Sequence, residues 1–71
     1  MQEDKSSRFK RLAKLRGERI LKDIQLLRNL SNRNNYEYSE SEVKALFSAI
    51  EDELRITKYS FAQTKKRSIK L

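Results

Sequence analysis

Apolar residues recur at helical spacing in two stretches of the chain. In the first, Phe9, Leu12 or Ala13, Ile20, Ile24 and Leu27 follow the i, i+3 or i+4, i+7 pattern, which predicts an amphipathic helix over about residues 8–29. Leu15 and Leu26 widen this stripe on one flank, so we expect more than one neighbour to pack there. The opposite side of the predicted helix is basic and carries Lys10, Arg11, Lys14, Lys22 and Arg28.

The second stretch predicts a helix over about residues 39–61. Ser39 is a favoured N-cap residue, and Glu42 three positions later completes a capping box. Tyr38 before the cap and Val43 after it fit a hydrophobic staple. The apolar stripe of this helix consists of Val43, Leu46, Phe47, Ile50, Leu54, Thr57 and Phe61.

Between the two patterns lies a polar segment, NLSNRNNYEYSESE, which predicts a turn over about residues 30–38. Asparagine and serine favour turns, and we expect Asn34 or Asn35 to take the left-handed conformation that glycine normally supplies. Folding explains most of this segment. Arg33 and Tyr36 leave a second interpretation open, because a guanidinium beside an exposed ring also suits phosphate binding and base stacking.

These patterns predict an all-α fold, an antiparallel two-helix hairpin over residues 1–62 with a basic flexible tail over 63–71. A chain of 71 residues forms one small domain, and so small a domain gains too little from its own core. The chain has no cysteine or histidine, which excludes disulfides and zinc sites. We therefore predict that two copies pair into a dimeric helical bundle.

The net charge of +7 arises from 17 basic and 10 acidic residues. Positive charge concentrates near both ends of the sequence, and a basic surface of this kind attracts phosphate. The sequence shows no secretory signal and no membrane-spanning run, so we expect a cytoplasmic protein. Without histidine, cysteine or a glycine-rich loop, the common catalytic dyads and phosphate-cradling loops cannot form, so we predict no enzyme activity and no cofactor or metal.

The segment from Arg11 to Phe61 resembles a family of small uncharacterised bacterial proteins, many from genomes rich in mobile elements. That family carries an NLSN-x-x-NYxY-[ST]-x-x-[DE]-V motif before a helix that ends in xELxxxKxxF. It has no established activity, so the resemblance implies that the turn is a family hallmark and assigns no functional residue. The matching positions are Asn29, Leu30, Ser31, Asn32, Asn35, Tyr36, Tyr38, Ser39, Glu42, Val43, Phe47, Ile50, Glu53, Leu54, Lys58 and Phe61.

Two functional hypotheses follow, and a third is weaker. The first is non-enzymatic binding of nucleic acid, either DNA or RNA, ribosomal RNA included, through the phosphate backbone. The second is a helical protein-interaction module, adaptor or inhibitor, that docks through Leu15, Leu26 and Ile56. A membrane-surface helix is disfavoured, because the second helix already needs the apolar face of the first. The residues predicted to bind nucleic acid are Lys5, Arg8, Lys10, Arg11, Lys14, Lys22, Arg33, Tyr36, Lys65, Lys66, Arg67 and Lys70.

Overall fold

The computed structural model of the protein describes residues 3–64, and two α-helices account for most of this range. Helix α1 is Lys5–Asn29 and helix α2 is Glu40–Thr64. The described residues contain no β-strand, so the predicted all-α class is confirmed. The chain divides into two compact units between Glu37 and Tyr38, and each unit is described by itself. The predicted flexible tail lies outside the described residues from position 65 onward.

Helix α1 begins three residues earlier than the apolar pattern predicts, because Asp4 caps it. The Asp4 carboxylate accepts a hydrogen bond from the Ser7 backbone N–H at 2.7 Å, and the Asp4 backbone is extended. This bond satisfies one of the N–H groups that a helix leaves unpaired in its first turn. It also lowers the pKa of the Asp4 carboxyl, because it stabilises the ionised form.

The turn after α1 closes without any residue in the left-handed conformation, so the prediction for Asn34 and Asn35 is wrong. No non-glycine residue in the described range has a positive φ. Asn32 stabilises the turn through hydrogen bonds instead. Its side-chain oxygen accepts from the Asn34 N–H at 3.0 Å, and its carbonyl oxygen accepts from the N–H groups of Asn35 and Tyr36 at 3.1 and 3.0 Å. Side-chain hydrogen bonds of this type turn the backbone without αL residues.

Helix α2 begins with the predicted capping box. The Ser39 hydroxyl accepts from the Glu42 N–H at 3.1 Å, and the Glu42 carboxylate accepts from the Ser39 N–H at 2.8 Å. Such a cap is worth about 1 kcal/mol. Tyr38 and Val43 are both partly buried, as the predicted staple requires. The helix continues to Thr64, past the predicted end at residue 61, since no proline or glycine interrupts it.

No side chain between residues 3 and 63 is buried. On α2, Ile50 at the centre of the apolar stripe is only partly buried, while Phe47 and Leu54 are 46% and 57% exposed. On α1, Phe9 and Ile20 are 56% and 58% exposed. Apolar surface of this extent is stable in water only when something covers it. The antiparallel pairing and the dimeric bundle stay predictions.

Candidate nucleic-acid interface

One side of α1 is predominantly basic, with a single acidic residue, Glu18, among its basic residues, and it is here called the basic face. At 3.6 residues per turn its members fall within about one third of the helix circumference. Lys10 and Lys22 are about 18 Å apart along the axis at 1.5 Å per residue. One strand of duplex DNA presents about five phosphates over that length. The basic face consists of Lys10, Arg11, Lys14, Lys22 and Arg28, and all five are exposed.

The three lysines of the basic face are free to meet a ligand. Lys10, Lys14 and Lys22 form no ion pair with any residue in the described range. Lysine presents a compact point charge with three donors on a flexible stem, and it commonly binds phosphate in this form. The acidic residues of α1 are only Glu18 and Asp23, against nine basic residues. The field around the basic face is therefore positive along most of α1.

Arg11 differs from the lysines because it already has a partner. Its Nε and a terminal guanidinium nitrogen donate to the two Glu3 carboxylate oxygens at 2.9 and 3.0 Å. These hydrogen bonds lower the pKa of Glu3 and raise the pKa of Arg11, so both groups are charged at neutral pH. A phosphate that binds Arg11 must compete with Glu3.

Sequence reasoning missed Glu3, which lies before the helix and eight positions from Arg11. Pairs on one helix face are three or four residues apart, so this spacing gives no signal. The sequence does carry a signal for the Asp4 cap, because aspartate is a favoured N-cap residue.

The structure does not bring Lys5 and Arg8 onto the basic face. Both residues belong to α1, where the helical periodicity places Lys5 on the side opposite Lys14. Arg8 lies on the leucine-rich side, beside Leu12 and Leu15. The sequence pattern predicts the helix only from about residue 8, which leaves Lys5 outside it and Arg8 at its start. The Asp4 cap makes both residues part of α1, which fixes their direction.

The turn exposes one of its two tyrosines. Tyr36 is 47% exposed, whereas Tyr38 is partly buried before the α2 cap. The Tyr36 N–H is bonded to the Asn32 carbonyl, so the backbone that carries the ring is fixed. Arg33, also exposed, is three residues away in the same turn. An exposed ring on a fixed backbone is available for stacking on a base.

The remaining predicted residues fall into two groups. Lys65, Lys66, Arg67 and Lys70 lie outside the described residues. Leu15, Leu26 and Ile56, the predicted protein-interface residues, are 51%, 55% and 54% exposed. Each is therefore accessible to a partner.

Residues 3–64 offer neither a candidate metal site nor a candidate membrane-crossing helix. No group of three or more acidic, histidine or cysteine side chains there could hold a metal ion. Neither α1 nor α2 combines the length and apolarity of a membrane-crossing helix.

The chain matches no protein-family model, no curated protein and no solved structure. The resemblance of its turn to the small bacterial family stays a prediction. Any functional proposal therefore depends on the residues themselves.

Proposed function

We propose that the protein is a non-enzymatic nucleic-acid-binding protein of the cytoplasm that binds the phosphate backbone through the basic face of α1. The observation that carries this proposal is the row of three exposed lysines without ion-pair partners, Lys10, Lys14 and Lys22. Their spacing matches the length over which a nucleic-acid strand presents several phosphates. Contacts to phosphate position a protein without reading bases, so binding is largely independent of sequence.

The distribution of charge between the helices supports α1 as the binding element. Helix α1 carries nine basic and two acidic residues, for a net charge of +7. Helix α2 carries three basic and five acidic residues, for a net charge of −2. A polyanion is attracted to the first helix and repelled by the second. The exposed Tyr36 in the turn adds a surface on which an unpaired base can stack.

The test is a salt titration of binding to a labelled DNA duplex and to a structured RNA. Each phosphate contact adds about 0.9 to the slope of log affinity against log salt on duplex DNA. Three lysine contacts therefore predict a slope of about −2.7 or steeper. Fluorescence anisotropy measures this slope at salt concentrations between about 50 and 300 mM. Complexes of this kind usually weaken at salt concentrations on the order of 0.1 M.

The affinities for the DNA duplex and for the structured RNA show which class of nucleic acid the protein prefers. A larger affinity for RNA with unpaired loops than for duplex DNA would favour a contribution from base stacking, for which the exposed Tyr36 is suited. A slope near zero, or no binding at low salt, would overturn the proposal.

A protein-interaction module is the second candidate function. Its support is the exposure of apolar side chains on both helices, including Leu15, Leu26 and Ile56 at more than half of their surface. This candidate does not need the basic face. Reversal of the charges on that face would leave an apolar docking surface unchanged, so the two functions respond differently to the same substitutions.

A further inference from the structure

The apolar side of α1 is too wide for one partner helix. Taken at 100° per residue, its apolar residues extend from Leu15 to Ile24 over about half of the circumference, with the charged Arg16 and Asp23 between two apolar sectors. The apolar stripe of α2, from Leu46 to Phe47, covers only about 100°. A helix packs on one neighbour through a sector of roughly that smaller width. The sector of α1 between Leu15 and Leu12 therefore needs a second helix to cover it.

This surplus sector of α1 combines leucine with arginine, and we call it the leucine flank. Arg19 forms no ion pair within the described residues. An arginine covered by a partner needs a carboxylate in return, because burying an unpaired charge is costly. The leucine flank itself contains no acidic residue, and Asp23, one turn after Arg19 and just beside the flank, forms no ion pair with it. Its members are Arg8, Leu12, Leu15, Arg19 and Leu26, which lie within about 60° of one another.

One side of α2 has the complementary composition, and we call it the acidic flank. It lies beside the apolar stripe of that helix and contains no basic residue, since Lys44, Arg55 and Lys58 project from another side. Apolar and acidic side chains are mixed along it, and Ile56 is 54% exposed. The members of the acidic flank are Glu42, Leu46, Ala49, Glu53 and Ile56, which lie within about 80° of one another.

We propose that the leucine flank of one copy docks, antiparallel, on the acidic flank of a second copy. An alignment that sets Leu15 level with Ile56 also sets Arg19 within one residue of Glu53. The same alignment sets Leu26 within one residue of Leu46. Two hydrophobic contacts and one arginine–carboxylate pair thus match in a single register, while Arg8 and Glu42 fall level with Gln63 and Asn29 at the ends of the contact. A contact between two leucine flanks would instead bring arginines together, which like-charge repulsion disfavours.

A second copy fits this surface because the contact repeats itself. A twofold axis that places α1 of one copy on α2 of the other creates two identical contacts. Each flank on a 25-residue helix is about 37 Å long and roughly 9 Å wide, from a rise of 1.5 Å per residue and the helix diameter. Four flanks bury about 1,300 Å² in total, within the usual range for specific interfaces. This inference does not depend on nucleic-acid binding.

Single cysteines test the proposed register directly, because the natural chain has none. Leu15→Cys and tagged Ile56→Cys chains are mixed, allowed to exchange subunits and oxidised. Random pairing would make the mixed disulfide about half of the linked product. We expect the mixed disulfide to be well above that share. Lys14→Cys with Arg55→Cys is the matched control. These positions are almost level in the same register but lie on other faces, so this pair should link at random.

Two results would overturn the proposal. Random linkage of Leu15→Cys with Ile56→Cys, together with a monomer mass for the unmodified chain by sedimentation, would mean that no second copy binds there. If both cysteines are placed in one chain and dilute oxidation yields a monomeric internal disulfide, the chain's own α2 covers the leucine flank.

A charge exchange tests the proposed ion pair while keeping the net charge of the final variant. Arg19→Glu or Glu53→Arg alone should weaken self-association by roughly three- to tenfold, since each places like charges together. The double variant should recover most of this loss. Failure of the double variant to recover, with each single variant weakened, would contradict the proposed register.

Discussion

Replacing Lys10, Lys14 and Lys22 by glutamate is expected to reduce affinity for duplex DNA by two to three orders of magnitude at 0.1 M salt. The magnitude follows from counterion release, because each phosphate contact contributes about 0.9 decades between 0.1 and 1 M salt. The three lysines are exposed and form no ion pair within the described residues, so their substitution breaks no described interaction. Arg11 is left in place because it is already paired with Glu3. Fluorescence anisotropy measures the affinity, and circular dichroism checks that both helices remain.

The matched control places the same change of charge on α2. Substitution of Lys44, Arg55 and Lys58 by glutamate also lowers the net charge from +7 to +1. It breaks the exposed Arg55–Asp52 ion pair, so circular dichroism checks the helices of this variant too. General attraction between the whole protein and a polyanion would decline in both variants. The proposal requires a much larger loss for the α1 variant. Equal losses would mean that net charge alone drives binding and that the basic face is not a site.

Ile50→Ala is expected to lower the free energy of unfolding by about 2–5 kcal/mol, the usual cost of removing a covered isoleucine side chain. Ile50 lies at the centre of the α2 stripe and is one of few partly buried residues in the described range. The cost depends on assembly, because α2 alone leaves the stripe exposed. Urea unfolding monitored by circular dichroism at several protein concentrations measures the loss. If self-association covers the stripe, stability also rises with concentration.

Tyr59→Ala is the matched control for this substitution. Tyr59 is 63% exposed, and its position nine residues from Ile50 places it on the opposite side of α2. Truncation there should change the free energy of unfolding by no more than about 0.5 kcal/mol. A similarly small change for Ile50→Ala would contradict the assignment of the α2 stripe as a packing surface.

The elements that the sequence predicts well are those encoded by neighbouring residues. The α2 start is an example, because Ser39 and Glu42 exchange hydrogen bonds across a single turn. The apolar pattern, which begins only at Phe9, predicts too late a start for α1, although Asp4 is a favoured cap. The turn was assigned correctly as a turn, but its mechanism was not. Either an asparagine in αL or an asparagine side-chain bond can reverse the chain, and composition does not choose between them.

In the candidate site, too, the features encoded by nearby residues are predictable and the others are not. Helical periodicity alone places Lys10, Lys14 and Lys22 on one face, so this part of the site was predictable. The partner of Arg11 was not, because Glu3 lies beyond the helix and its approach depends on how the N-terminal residues turn. The covering of the apolar faces is the least predictable feature. The spacing of apolar residues shows that each helix needs a partner surface. It does not identify that partner, because the contacts lie outside the helix.

The most direct test of the central claim is to map the lysine side chains that a nucleic acid contacts. In a ¹⁵N-labelled chain of 8.5 kDa, the amino-group signals of individual lysines can be followed during titration with a short DNA duplex. The proposed interface predicts that the signals of Lys10, Lys14 and Lys22 change most, while those of Lys44 and Lys58 on α2 change little. Equal changes at all five lysines, or the largest changes on α2, would contradict the assignment of the basic face of α1 as the binding surface.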